Sequence, residues 1–98
     1  MATRTLQRQE REGTYMFCWQ IYTTAMIAEA FTPLQINAFV QQVRKQAKEK
    51  GGLDYLQIFK DEAGNKIYFI DNLTPEQVSS GQYNTADHYA TLMFAEEY

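Results

Sequence analysis

Residues 32–51 read Thr-Pro-Leu-Gln-Ile-Asn-Ala-Phe-Val-Gln-Gln-Val-Arg-Lys-Gln-Ala-Lys-Glu-Lys-Gly, and this stretch decides the fold. Thr32 has a side-chain oxygen suited to an N-cap, and Pro33 suits the first helical position. Gln35 stands where a capping box wants Glu or Gln, and Phe31 can staple onto Ile36. Ile36, Phe39, Val40, Val43 and Ala47 then recur at helical spacing, giving one apolar stripe to bury. Basic residues gather where the helix dipole is negative, and Gly51 supplies a left-handed stop. The spacing predicts a helix over residues 33–50.

On the C-terminal side of this helix, residues 53–59 and 66–70 are rich in Leu, Ile, Tyr and Phe, and Asp61 to Asn65 between them carry turn chemistry. That pattern predicts a β-hairpin. Thr74-Pro75-Glu76-Gln77 repeats the cap signature, but Ser79, Ser80 and Gly81 limit it to a turn or two of helix. His88, Ala90, Leu92 and Phe94 alternate with Tyr89, Thr91 and Met93, which suits a last strand.

On the N-terminal side, Tyr15, Phe17, Trp19 and Ile21 alternate in the same way, predicting a strand from Thr14 to about Thr24. A helix over residues 15–31 is the competing reading. Residues 1–14 are polar, mixed in charge and without apolar period, so they read as a flexible or partner-ordered arm ahead of a single domain over 15–98. The order β-α-β-β-(short α)-β gives an α+β class. About four antiparallel or mixed strands carry one long helix, and a ferredoxin-like arrangement is the leading topology.

The composition suits one packed core: 98 residues, 45% apolar and 14% aromatic. A lone cysteine, Cys18, cannot form an internal disulfide, which agrees with a cytoplasmic location. The apolar run from Tyr15 to Phe31 is too short and too interrupted, by Gln20, Thr23, Thr24 and Glu29, for a membrane or export segment. Charge is uneven. The net is −3, yet residues 61–98 carry −6 and residues 44–50 carry +3.

Tyr22-Thr23-Thr24, Ile27, Glu29, Leu34-Gln35, the run Leu53 to Phe59, and Asn65-Lys66-Ile67 resemble the small bacterial family described as domain of unknown function nine hundred and sixty. The likeness spans about residues 22–70. The ending Ala90 to Tyr98 is similar to the Thr-rich strand and Glu-Glu-Tyr tail of short proteins from plasmids, phages and conjugative elements of Gram-positive bacteria. Thr24 and Ala25 stand where the family carries a basic residue and Gly, and its acidic, proline-containing segment after the hairpin is not reproduced. The resemblance implies a fold and a mobile-element context, and it supplies no catalytic residues.

No nucleophile, base and orienting group come together in the sequence, so a non-enzymatic role is expected. His88 reads as a strand-edge residue and Cys18 as a small buried hydrophobe. One His and one Cys make no metal-ligand spacing, and the glycines match no phosphate-binding fingerprint, so neither metal nor cofactor is expected. Single-stranded nucleic acid is the alternative partner, through Tyr55, Phe59 and Tyr68 on paired strands with Lys60 and Lys66 beside them. A pI near 5 argues against it.

The leading expectation is a protein-binding module that sets an acidic surface against a basic groove of a larger host protein. Inhibition of a host defence nuclease by phosphate mimicry, in the manner of an anti-CRISPR, is its sharpest form. Asp71, Glu76, Asp87, Glu96, Glu97 and Tyr98 are the expected docking residues. An accessory regulatory subunit is a third reading, and strand edges beside apolar residues leave a homodimer open.

Overall fold

The capping box forms as expected. Gln35 N donates to Thr32 Oγ1 at 3.2 Å, and Thr32 N donates to Gln35 Oε1 at 2.8 Å. The helix it starts runs Pro33–Lys50 and stops at Gly51, whose φ of 74° suits a residue without Cβ. The next residue, Gly52, is fixed by space. A Cβ there would meet Thr14 Cα at 2.6 Å, so only glycine lets residues 13–14 pass so close.

A computed structural model of the chain describes residues 5–9, 11–61, 63–83 and 88–98. Its elements are strand β1 (Thr5–Leu6), strand β2 (Gln20–Thr23), helix α1 (Ala25–Ala30), helix α2 (Pro33–Lys50), strand β3 (Leu56–Lys60), strand β4 (Lys66–Asp71), helix α3 (Pro75–Ser79), strand β5 (Tyr89–Phe94) and a 3-10 turn at Ala95–Glu97. The strands form one mixed sheet in the order β1-β3-β4-β5-β2. β2 runs parallel to β5, and every other pair is antiparallel. The α+β class with one long helix on a mixed sheet is therefore the observed architecture.

The core lies between α2 and one face of the sheet. Val40, Val43 and Ala47 are buried there with Phe59, Ile67, Phe69, Ala90 and Leu92, while Ile36 and Phe39 pack against this cluster half-buried. In register, Phe59 opposes Ile67 and Phe69 opposes Leu92, so the alternation read from sequence turns these side chains to one side. The Phe39 ring lies 4.9 Å from that of Phe59, seating the helix over β3.

Three expectations need correction. The ferredoxin-like arrangement requires a second crossover helix that returns the chain, so that the last strand runs in the same direction as β4. α3 has only five residues and makes no crossover, leaving β4 and β5 as direct antiparallel neighbours. The strand expected from Thr14 to Thr24 is broken. Tyr15 makes an isolated bridge to Leu53, Phe17 takes φ 54°, and ladder pairing with β5 begins only at Gln20. A left-handed residue cannot continue a pleated ladder. The arm is also not free: Thr5 and Leu6 pair with Lys60 and Phe59, and Gln7 N donates to Ile58 O at 2.7 Å.

Candidate interaction surfaces and the buried Asp71 cluster

The docking residues expected from sequence do not form one patch. Asp71 is 2% exposed and belongs to the interior. Glu76 is exposed in the first turn of α3, in the connection entering β5. Glu96 and Glu97 follow the far end of β5, so a strand's length separates them from Glu76. Glu97 is also occupied, since its Oε2 accepts from Thr24 Oγ1 at 2.8 Å and from Phe94 N at 2.9 Å. Tyr98 is 72% exposed, its ring 5.6 Å from that of Tyr68. Asp87 lies outside the described residues.

Asp71 instead organises the broken lead-in to β2. Its Oδ2 accepts from Phe17 N at 2.9 Å. Arg44, on α2, donates through Nε to Phe17 O at 2.7 Å and through Nη2 to Trp19 O at 2.9 Å. Trp19 Nε1 donates to Leu73 O at 2.8 Å. Side chains thus satisfy the backbone groups that the ladder cannot reach at Phe17. Burial pushes the Asp71 carboxyl up to about 6, against the backbone amides of Phe17, Asn72 and Leu73 and the Arg44 charge, which pull it down. Its Oδ1 is buried and has no hydrogen-bond partner among the described residues.

The two candidate reactive side chains flank this cluster. Cys18 was expected to be buried, yet it is exposed, because the turn of the chain at Phe17 puts Phe17 inward and its neighbour outward. Partial desolvation pushes its thiol up, helped by the Asp71 carboxylate, which is the opposite of nucleophile activation. The His88 ring lies 5.7 Å from that of Trp19, and its Nε2 is buried without a hydrogen-bond partner among the described residues. No group of three or more His, Cys, Asp or Glu converges on a metal position among the described residues.

Away from α2, the second face of the sheet carries the C-terminal Tyr98, whose ring lies 5.6 Å from that of Tyr68. Ile58, Tyr68 and Met93 form one row across β3, β4 and β5, and Ile70, Thr91 and Tyr22 extend a second row to β2. All are half-buried except Tyr22, which is 45% exposed. The Tyr22 and Tyr89 rings meet edge to face at 5.2 Å. Of the aromatics proposed for base stacking, Tyr68 is on this face, Phe59 is under the helix, and Tyr55 precedes β3. The Tyr55 hydroxyl is pushed up, chiefly by Tyr98 beside it, and Arg11 pulls it the other way.

At the hairpin end of the same face, Lys60 stands directly opposite Lys66. Sequence reasoning noticed both lysines but not their pairing, which requires the register. It also missed Arg44 as a structural clamp. Among the described residues no helix is long and apolar enough to cross a membrane. No protein-family model, curated protein or solved structure matches the chain, so no site residue is assigned by likeness to another protein.

Proposed function

We propose that the protein is a non-enzymatic interaction module that docks a protein partner on the face of its sheet away from α2. The observation that carries this reading is the difference between the two faces: α2 buries one, while the other holds Tyr22, Ile58, Tyr68, Ile70, Tyr89 and Met93 half-buried or exposed, with the Tyr98 ring beside Tyr68. Tyrosine and methionine around an uncharged centre, with lysines only at one end, is the composition of a protein interface core and its rim. Acidic phosphate mimicry draws less support from the geometry, because Asp71 is interior and Glu97 is held by Thr24.

Size sets the strength of such docking. Strands spaced about 4.8 Å apart and rising about 3.3 Å per residue give this face an area of about 400 Å². A standard interface takes about 800 Å² from each partner. A partner must therefore reach past the central rows to the rim, and affinity will depend on a few tyrosine anchors.

The test is site-specific photo-crosslinking in the native host, with the reactive group at Thr91 or Met93 on the sheet face and at Gln41 or Lys45 on exposed α2 positions. The reading expects one protein adduct from the sheet positions only, with affinity for that purified protein falling at least tenfold in Tyr68→Asp. Equal adducts from both sets, or nucleic-acid adducts alone from the sheet face, would sink it.

A further inference from the structure

We infer that the β1–β3 edge of the molecule is a second binding site, a basic groove that takes the backbone of single-stranded nucleic acid. This site borders the sheet face and shares Ile58 with it, while Tyr22, Tyr89 and Met93 line neither of its clefts. Two neighbouring clefts meet along that edge, and Arg8 and Gln9 line both. Lys60 and Lys66 line the first, and Arg11 and Lys50 line the second. Together with Arg8 they place five cations along one continuous path. Asp54 and Glu12 are the only described carboxylates lining it, and Asp54 Oδ1 already accepts from Tyr55 N at 2.9 Å.

None of the five cations has an ion-pair partner among the described residues. Lys60 and Lys66 are also cross-strand partners in register, an arrangement that repels at the close Cβ separation of such pairs. The fold gains nothing from that juxtaposition. A polyanion laid along the groove would turn the repulsion into a favourable contact.

The remaining lining favours nucleic acid over an acidic protein. Leu56 and Ile58 give the first cleft an apolar floor, and the amides of Gln7, Gln9 and Gln57 stand around it. Tyr55, 40% exposed and near the Arg11 charge, and Tyr98 supply aromatic surface alongside. A cationic track with flanking aromatic faces is how unpaired strands are held without sequence preference. The chain's net charge of −3 does not forbid this, because Glu76, Glu96 and Glu97 line neither cleft, although Glu96 shares a separate cleft with Lys66 at the hairpin end.

The experiment is fluorescence polarisation of the full chain with a fluorescein-labelled fifteen-nucleotide oligo-dT, titrated at several salt concentrations. Five phosphate contacts at about 0.7 per contact give a slope of about −3.5 for log affinity against log salt, so tenfold more salt weakens binding by about three and a half orders of magnitude. The triple variant Arg8→Gln, Lys60→Gln, Lys66→Gln should lower the slope to about −1.5, while its melting temperature stays within a degree or two of the parent. Lys45→Gln, outside both clefts, should bind like the parent. No binding at 20 mM salt, an unchanged slope in the triple variant, or tighter binding of a labelled polyglutamate peptide than of the oligonucleotide would overturn the assignment.

Discussion

Replacing Asp71 by Asn tests how a buried carboxylate is tolerated beneath the β2 lead-in. The folded chain holds the Asp71 proton up to about pH 6, against an ordinary value of 3.8. A difference of about two pH units corresponds to about 3 kcal/mol. Because the folded-state value is raised, folding is favoured by protonation, and this contribution is lost as pH climbs from about 4 to about 6. Asn keeps an acceptor for Phe17 N, which donates to Oδ2 at 2.9 Å, and carries no charge at any pH.

Urea unfolding of parent and Asp71→Asn, followed by tryptophan fluorescence from pH 4 to pH 8, isolates the effect, since the other carboxylates cancel in the difference. The stability of the variant relative to the parent should rise by about 2–3 kcal/mol between pH 4 and pH 7 and then level off. A difference that stays flat would show that the carboxylate is well solvated. One that falls would show that Arg44 and the backbone amides outweigh burial.

Arg44→Met should destabilise the fold by about 2–4 kcal/mol, because it orphans the carbonyls of Phe17 and Trp19, and a melting temperature equal to the parent's would refute the clamp. Phe39→Ala should cost about 3 kcal/mol, near the low end for core aromatics because the ring is half-buried between Phe31 and Phe59, and chemical denaturation measures it. Cys18 should react with a maleimide in the native state, more slowly than in urea at the same mildly alkaline pH, since its exposed thiol is pushed up. Full native protection would contradict its position.

The parts of this fold that sequence could announce are those whose causes are local. The Thr32–Gln35 box and the Thr74–Gln77 box each close within four residues, so composition and spacing suffice to find them. The β3–β4 hairpin follows from Asp61, whose carboxylate accepts from Asn65 N at 2.8 Å. The fate of Phe17 has no local signal: its φ of 54° exists because a carboxylate 54 residues later meets its amide. The same distance hid Asp71, which looked like a loop acid until the packing of β4 carried it inside. The face away from α2 was half legible. Alternation gave Tyr68 its side of β4, but only the register brings Ile58, Tyr68 and Met93 into one row and sets Lys60 against Lys66.

The parallel pairing of β2 with β5 bears on how the chain must be made. Synthesis delivers Gln20 to Thr23 early, but their only ladder partner, Tyr89 to Leu92, arrives after every other strand has emerged. The nascent chain can assemble α2 with the β3–β4 hairpin as soon as those residues leave the ribosome. Phe17 and Ile27, both fully buried in the end, have no completed sheet to join until the last strand is in place. A nascent chain whose residues up to about 80 have left the ribosome, with β5 still inside, would therefore hold a compact helix and hairpin with an apolar leader exposed, a stage open to chaperone capture.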